Sequence, residues 1–112
     1  MTDRYLDEAL LEELRSILES EFPALVTTYI NDTTQRVHDL QQSFAAGDAD
    51  AVRKTAHSIK GASANLGLHH LADLCQQLEE HARSGQLAGQ ESCVQAIGSE
   101  QQRAVGLLRA RL

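Results

Sequence analysis

The sequence predicts an all-α protein: an up-down-up-down antiparallel four-helix bundle with an additional short N-terminal helix covering one end. Three observations predict it. Leu, Ala, Gln, Glu and Arg dominate the 112 residues, and these side chains favour helix. Seven glycines and one proline leave few places for the chain to turn. Apolar residues recur at three- and four-residue steps through five segments, the spacing that builds one face of a helix, and nowhere alternate as a strand would.

The first helix is expected from about Asp7 to Ser20, with Leu6, Leu10, Leu14 and Ile17 as its apolar stripe. Pro23 suits the first turn of the second, where its missing N–H costs nothing. That helix runs to about Ala46, with Val26, Ile30, Thr33, Val37, Leu40 and Phe44 inward. Gly47 ends it, and Asp48 or Asp50 can cap the third helix, expected over roughly Asp50 to Leu66. Gly67 is a natural turn residue after it, because a left-handed backbone is cheap only for glycine. The fourth helix spans roughly Leu68 to Arg83, with Leu71, Leu74, Cys75, Leu78 and Ala82 inward, and Ser84-Gly85 breaks it. The fifth runs from about Gln90 to the C-terminus, with Val94, Ile97, Ala104, Val105 and Leu108 on one side. Connections this short force neighbouring helices to lie antiparallel. The length suits one domain, residues 1–112, and is too small for two.

Charge narrows the function. The net charge of −6 argues against non-specific nucleic-acid binding, which needs a basic footprint. No apolar run approaches the roughly 20 residues of a membrane span. The acidic N-terminus, MTDRYLDEALLEEL, does not have the character of a secretory signal. A cytoplasmic protein is the expectation, and Cys75 and Cys93, both among apolar residues, are expected as reduced thiols.

The third helix carries the chemistry. On a wheel of about 100° per residue, Val52, Thr55, Ile59, Ala62, Ser63 and Leu66 fall in one arc, and His57 lies almost opposite its centre. Lys60 sits about 60° to one side of His57 and Gly61 about 40° to the other. Arg53, Lys54 and Ala64 share the outward face. A neutral imidazole is a competent nucleophile near neutral pH. Lys60 can reach incoming phosphoryl oxygens, and Arg53 and Lys54 can strengthen the local positive field. A side chain at Gly61 would obstruct a partner approaching the histidine.

The stretch Ala56-His57-Ser58-Ile59-Lys60-Gly61-Ala62-Ser63-Ala64-Asn65-Leu66-Gly67 resembles the signature of the histidine phosphotransfer (HPt) family, a histidine, two residues, then Lys-Gly, small residues and a second glycine. Gly47-Asp48 before the helix and Arg83-Ser84-Gly85 after the next one resemble the family's flanks. The resemblance implies that His57 is the phosphoacceptor through Nε2. It implies that Lys60 stabilises the phosphoryl group, that Gly61 gives a receiver domain access, and that Gly67 is a structural turn; from their place on the same face, Lys54 and Arg53 are expected to add to the stabilisation and Ala64 to the access. Glu79 falls where some members place a glutamine that bonds the histidine's other nitrogen, so it is expected to orient His57; a solvated surface role is the alternative. The expected reaction is reversible transfer from a receiver aspartyl phosphate to His57 and on to another receiver.

The chain has no GxxxxGK[ST] loop, and no kinase activity of its own is expected. No cofactor is expected on the chain, since Mg²⁺ would belong to the receiver partner. The expected partners are response-regulator receivers, a hybrid sensor histidine kinase, or both, and the expected state is a monomer. Met1 followed by a whole domain fits an independent protein, and a module cut from a hybrid kinase would read the same. Two other readings remain at this point. One is a metal-binding bundle using His38, His57, His69, His70 or His81, although no Glu-x-x-His pair occurs in each of two helices. The other is a bundle that docks a partner without transferring phosphate.

Overall fold

The structure, a computed structural model, describes residues 5–112; residues 1–4, part of the expected 1–112 domain and of the acidic N-terminus, lie outside the described residues. Helix α1 spans Glu8–Leu18 and is followed by a 3₁₀ turn, Glu19–Glu21. Then come α2, Phe22–Ala45, α3, Ala49–Asn65, α4, His69–Arg83, and α5, Glu91–Arg109. The described residues contain no strand. Helices α2 to α5 form the up-down-up-down bundle, and α1 lies at the end where α3 finishes and α4 begins.

Local chemistry sets the boundaries. Asp7 caps α1 by accepting the Leu10 N–H at 3.1 Å, and Asp48 caps α3 by accepting the Ala51 N–H at 3.1 Å. Such caps contribute about 1 kcal/mol each. After α3, the Gly67 N–H donates to the Ala64 carbonyl and the Leu68 N–H to the Ser63 carbonyl. This closing pattern uses a left-handed residue, and Gly67 supplies it with φ +80°. The same arrangement ends α2 at Gly47 and α4 at Gly85.

Val26, Leu40, Val52, Ile59, Leu78 and Ile97 are fully buried at the centre of the bundle. The buried polar groups brace one helix to another. The Tyr29 hydroxyl bonds the Ser63 Oγ at 2.7 Å, tying α2 to α3. Gln101 of α5 donates to the Thr34 Oγ1 at 3.0 Å and the Thr33 Oγ1 at 3.3 Å on α2. Among the described residues, no buried side-chain polar atom lacks a partner. Both thiols are free; Cys75 is buried and Cys93 half-buried. Burial pushes the Cys75 thiol up to about 12.

Three details depart from the periodicity. The α1 stripe is rotated: Ile17 is 68% exposed, while Leu11 is buried and Leu14 and Leu18 pack behind it. The reason is that Leu6 lies before the Asp7 cap, so it cannot set the helical phase. On α3, Ala56 is fully buried and Thr55 only half so. Phe44 and Val105 are also half-buried, packed against the core from its edge.

The N-terminal segment is fastened to the bundle end. The Asp7 N–H donates to the Gly67 carbonyl at 2.8 Å, and Arg111 pairs with Glu8, its Nε lying 3.2 Å from Oε2. The contact is close enough that a Cβ on Gly67 would stand 3.0 Å from the Asp7 Cβ.

Candidate functional site

His57 projects from the middle of α3, away from the core, with its side chain 64% exposed. Its Nδ1 lies 3.0 Å from the Glu79 Oε2 of α4. An ionised carboxylate can only accept, so Nδ1 carries the hydrogen and donates it. The other nitrogen, Nε2, is then left with its lone pair. The ring is held in the tautomer that a nucleophile needs.

Glu79 is the hub of this site. Its side chain is 3% exposed, which excludes the solvated alternative. Oε1 accepts from the Lys60 Nζ at 2.7 Å, and Oε2 accepts from the Arg83 Nη2 at 2.9 Å as well as from His57. Burial raises the carboxyl pKa, but the hydrogen bonds from Lys60 and His57 and the charge of Lys60 outweigh it and hold the group below its ordinary value. Glu79 is therefore ionised at neutral pH, and the cations around it offset the cost of burying a charge.

Lys60 bridges the helices, donating also to the Gln76 Oε1 at 2.8 Å. Its ammonium has three hydrogens, and two are engaged, so one remains for an incoming oxygen. Gln76 in turn donates to the Glu80 Oε1 at 2.6 Å. Arg53 and Lys54 share the outward face with His57, but each pairs with Asp50, at 3.0 Å in both cases. Those bonds, Arg53 foremost, hold the Asp50 carboxyl below its usual range. One carboxylate thus offsets part of the positive charge these two residues would supply.

Gly61 lies in the helix beside His57, and beyond its chain neighbours and the adjoining helix backbone no atom comes within 4 Å of the place where its Cβ would stand. Neither conformation nor internal packing requires glycine there. Ala64 is half-buried, one turn beyond Gly61. On the side of α3 away from Glu79 a groove of about 310 Å³ opens, lined by Leu14 of α1, Leu25 and Thr28 of α2, and Ala62 and Leu66 of α3.

Three of the remaining histidines make contacts elsewhere. The His69 Nε2 lies 3.5 Å from the Asp7 Oδ2, the His70 ring packs edge-on to Tyr5 at 5.3 Å, and the His81 Nδ1 bonds the Gln77 carbonyl. Among the described residues, no three His, Cys, Asp or Glu side chains converge as a metal site.

Sequence periodicity places His57, Lys60 and Gly61 on one outward face and the family resemblance singles them out, but both miss Gln76 and Arg83 as members of the site. A signal for them exists. Gln76, Glu79, Glu80 and Arg83 recur at helical spacing along α4, as a polar stripe beside its apolar one.

Comparison with known proteins gives a consistent result. The family model described as Hpt domain matches residues 24–111. The crystal structure of histidine-containing phosphotransfer protein B from Pseudomonas aeruginosa PAO1 superposes with a TM-score of 0.92 at 36% identity, covering 96% of this chain and 93% of that one. An HPT domain from a sensor hybrid histidine kinase of Shewanella shares the fold, with a TM-score of 0.81 at 17% identity over 97% of this chain and 94% of that one. Sensor protein TorS of Escherichia coli (strain K12) is 24% identical over 90 residues, 80% of this chain; the chain spans 10% of that protein's length.

Proposed function

The chain belongs to the Hpt domain family, so its role is histidine phosphotransfer in phosphorelays, and we propose that His57 is the residue that carries the phosphoryl group. The family supplies carriers rather than catalysts, and the partners are two-component proteins, receivers or kinases.

One observation carries the assignment of His57: a buried carboxylate occupies Nδ1, while the rest of the ring stands 64% exposed. Nε2 is the only nitrogen left to attack phosphorus. A neutral imidazole needs no base to begin, so the residues around it have only to position and to neutralise charge. Lys60 is the closest candidate for the second task, with its free hydrogen and its tether to α4. Arg53 and Lys54 contribute less, because Asp50 already pairs with them.

Gly61 and Ala64 keep the approach to Nε2 low. The groove beyond them, with Leu25 37% exposed on its rim, has the apolar character of a docking surface for a receiver. On this reading the receiver brings both the aspartyl phosphate and its Mg²⁺, and a hybrid sensor kinase is one source of the group. The chain acts without kinase activity of its own, as a monomer, in the cytoplasm; among the described residues, no helix is long and apolar enough to cross a membrane. A docking module without transfer would have no use for the Glu79 network.

The test is incubation with a phosphorylated receiver. The protein should take up a label that is acid-labile and base-stable. His57→Gln should remain folded and take up none; label persisting on that variant would show the wrong residue had been chosen.

A further inference from the structure

A carboxylate is a costly neighbour for a ring about to receive a phosphoryl group. The Glu79 Oε2 lies 3.0 Å from Nδ1, and the group on Nε2 would sit across the same imidazole. An amide could accept the Nδ1 hydrogen without adding a negative charge. Something must make the carboxylate tolerable, and the two cations on Glu79 differ in how they do so. Lys60 binds Oε1 and has a hydrogen to spare for phosphate. Arg83 binds Oε2, the oxygen that faces the ring, at 2.9 Å.

Resting on His57 as the phosphoacceptor, we propose that Arg83 is a positioning residue for phosphoryl transfer that acts through Glu79. By neutralising the oxygen bonded to the ring, its guanidinium lets a full carboxylate hold the Nδ1 proton while Nε2 carries the phosphoryl group.

The chemistry gives that proton its importance. In uptake, the Nε2 lone pair forms the N–P bond as the P–O bond to the receiver's aspartyl oxygen breaks, and the carboxylate leaves with the electron pair. The ring becomes cationic with its proton still on Nδ1. In discharge, the N–P electron pair returns to Nε2, and the phosphoryl group goes to a second receiver's carboxylate. Neutral imidazole departs with the same proton, so none enters or leaves. Were Nδ1 deprotonated in between, the leaving group would be an imidazolate, which is far poorer. A carboxylate stabilises the cationic ring better than an amide dipole does. It keeps that advantage only while its own charge is balanced, since Lys60, drawn toward the phosphoryl oxygens, balances it less. Arg83 sits at Glu79's i+4 position, 2.9 Å from Oε2 with its side chain 59% exposed, on the far side of the carboxylate from Lys60's oxygen.

The plainer role for Arg83 is structural, as a cation in the last turn of α4. The two roles separate in a double-mutant cycle on the full chain. Label uptake from a phosphorylated receiver, and discharge to a second one, are timed for wild type, Arg83→Gln, Glu79→Gln, the double variant and Arg83→Lys. With Glu79 present, Arg83→Gln should slow discharge about tenfold; in the Glu79→Gln background the same change should cost under about twofold. Arg83→Lys should recover most of the rate. Nitrogen-15 spectra of the phosphorylated imidazole should show Nδ1 protonated in wild type and less so in both single variants. Equal losses in the two backgrounds, or an unchanged nitrogen spectrum in Arg83→Gln, would overturn the proposal while leaving His57 as phosphoacceptor. No label on the wild-type chain would instead remove His57 from that role, and the proposal with it.

Discussion

Gly61 gives the sharpest separation of stability from function at the scale of one residue. A helix interior loses about 1 kcal/mol by holding glycine in place of alanine, and nothing inside this molecule gains from it. Gly61→Ala should therefore raise the midpoint of thermal unfolding, by about 1 kcal/mol in stability, while Gly61→Leu should leave the fold intact and slow labelling at least tenfold or so. A loss of stability in Gly61→Ala would place the need for glycine inside the chain instead. Glu79 makes a second prediction. Its folded pKa lies below the ordinary 4.5, so the ionised group adds stability above that value, and the gain is lost as pH falls through the folded pKa. Urea melts should show wild type losing ground to Glu79→Gln as the solution is acidified below 4.5. The helix wheel put His57, Lys60 and Gly61 on one outward face, and the HPt resemblance singled them out. Arg83 and Gln76 were not legible, since they meet this group across two helices, and periodicity does not supply the register. From the sequence, Arg53 and Lys54 read as a free positive field; their pairing with Asp50 at i+3 and i+4, and the weakening it brings, emerge only from the geometry.

Elements were legible where their end signals are chemical. Asp48, Gly47, Gly67 and Gly85 mark caps that lie within a residue or two of the observed boundaries. Helix α1 was less so, because its inward face depends on how it meets the bundle end. Counting from Leu6 turned the stripe toward Ile17, which is the exposed side. Gly67 shows how much one turn holds at this end. A side chain there would adopt a strained left-handed backbone and meet Asp7 at 3.0 Å. Gly67→Ala should cost about 2–3 kcal/mol in chemical denaturation. Amide hydrogen exchange should also quicken at Asp7, whose N–H bonds the Gly67 carbonyl. A change under about 0.5 kcal/mol would mean that the N-terminal segment moves aside freely.

Across the whole molecule, the bundle places the His57 group and the apolar groove on neighbouring parts of one flank. Helix count, the antiparallel order and the outward face of α3 were readable from the sequence. The groove was not, because it is built where three helices meet, and no single wheel contains it. Leu25 tests it. Leu25→Gln on this rim should change stability by under about 0.5 kcal/mol and weaken receiver binding about tenfold in titration calorimetry. Unaltered affinity would move the docking surface elsewhere. The hydrogen bond that occupies Nδ1 has a consequence for traffic. With one ring nitrogen committed inward, a donor and a recipient must use the same open nitrogen from the same side, so the two cannot be engaged together. Each visit has to end before the next begins, and an excess of either unphosphorylated receiver should throttle flow through the relay by occupying its single berth.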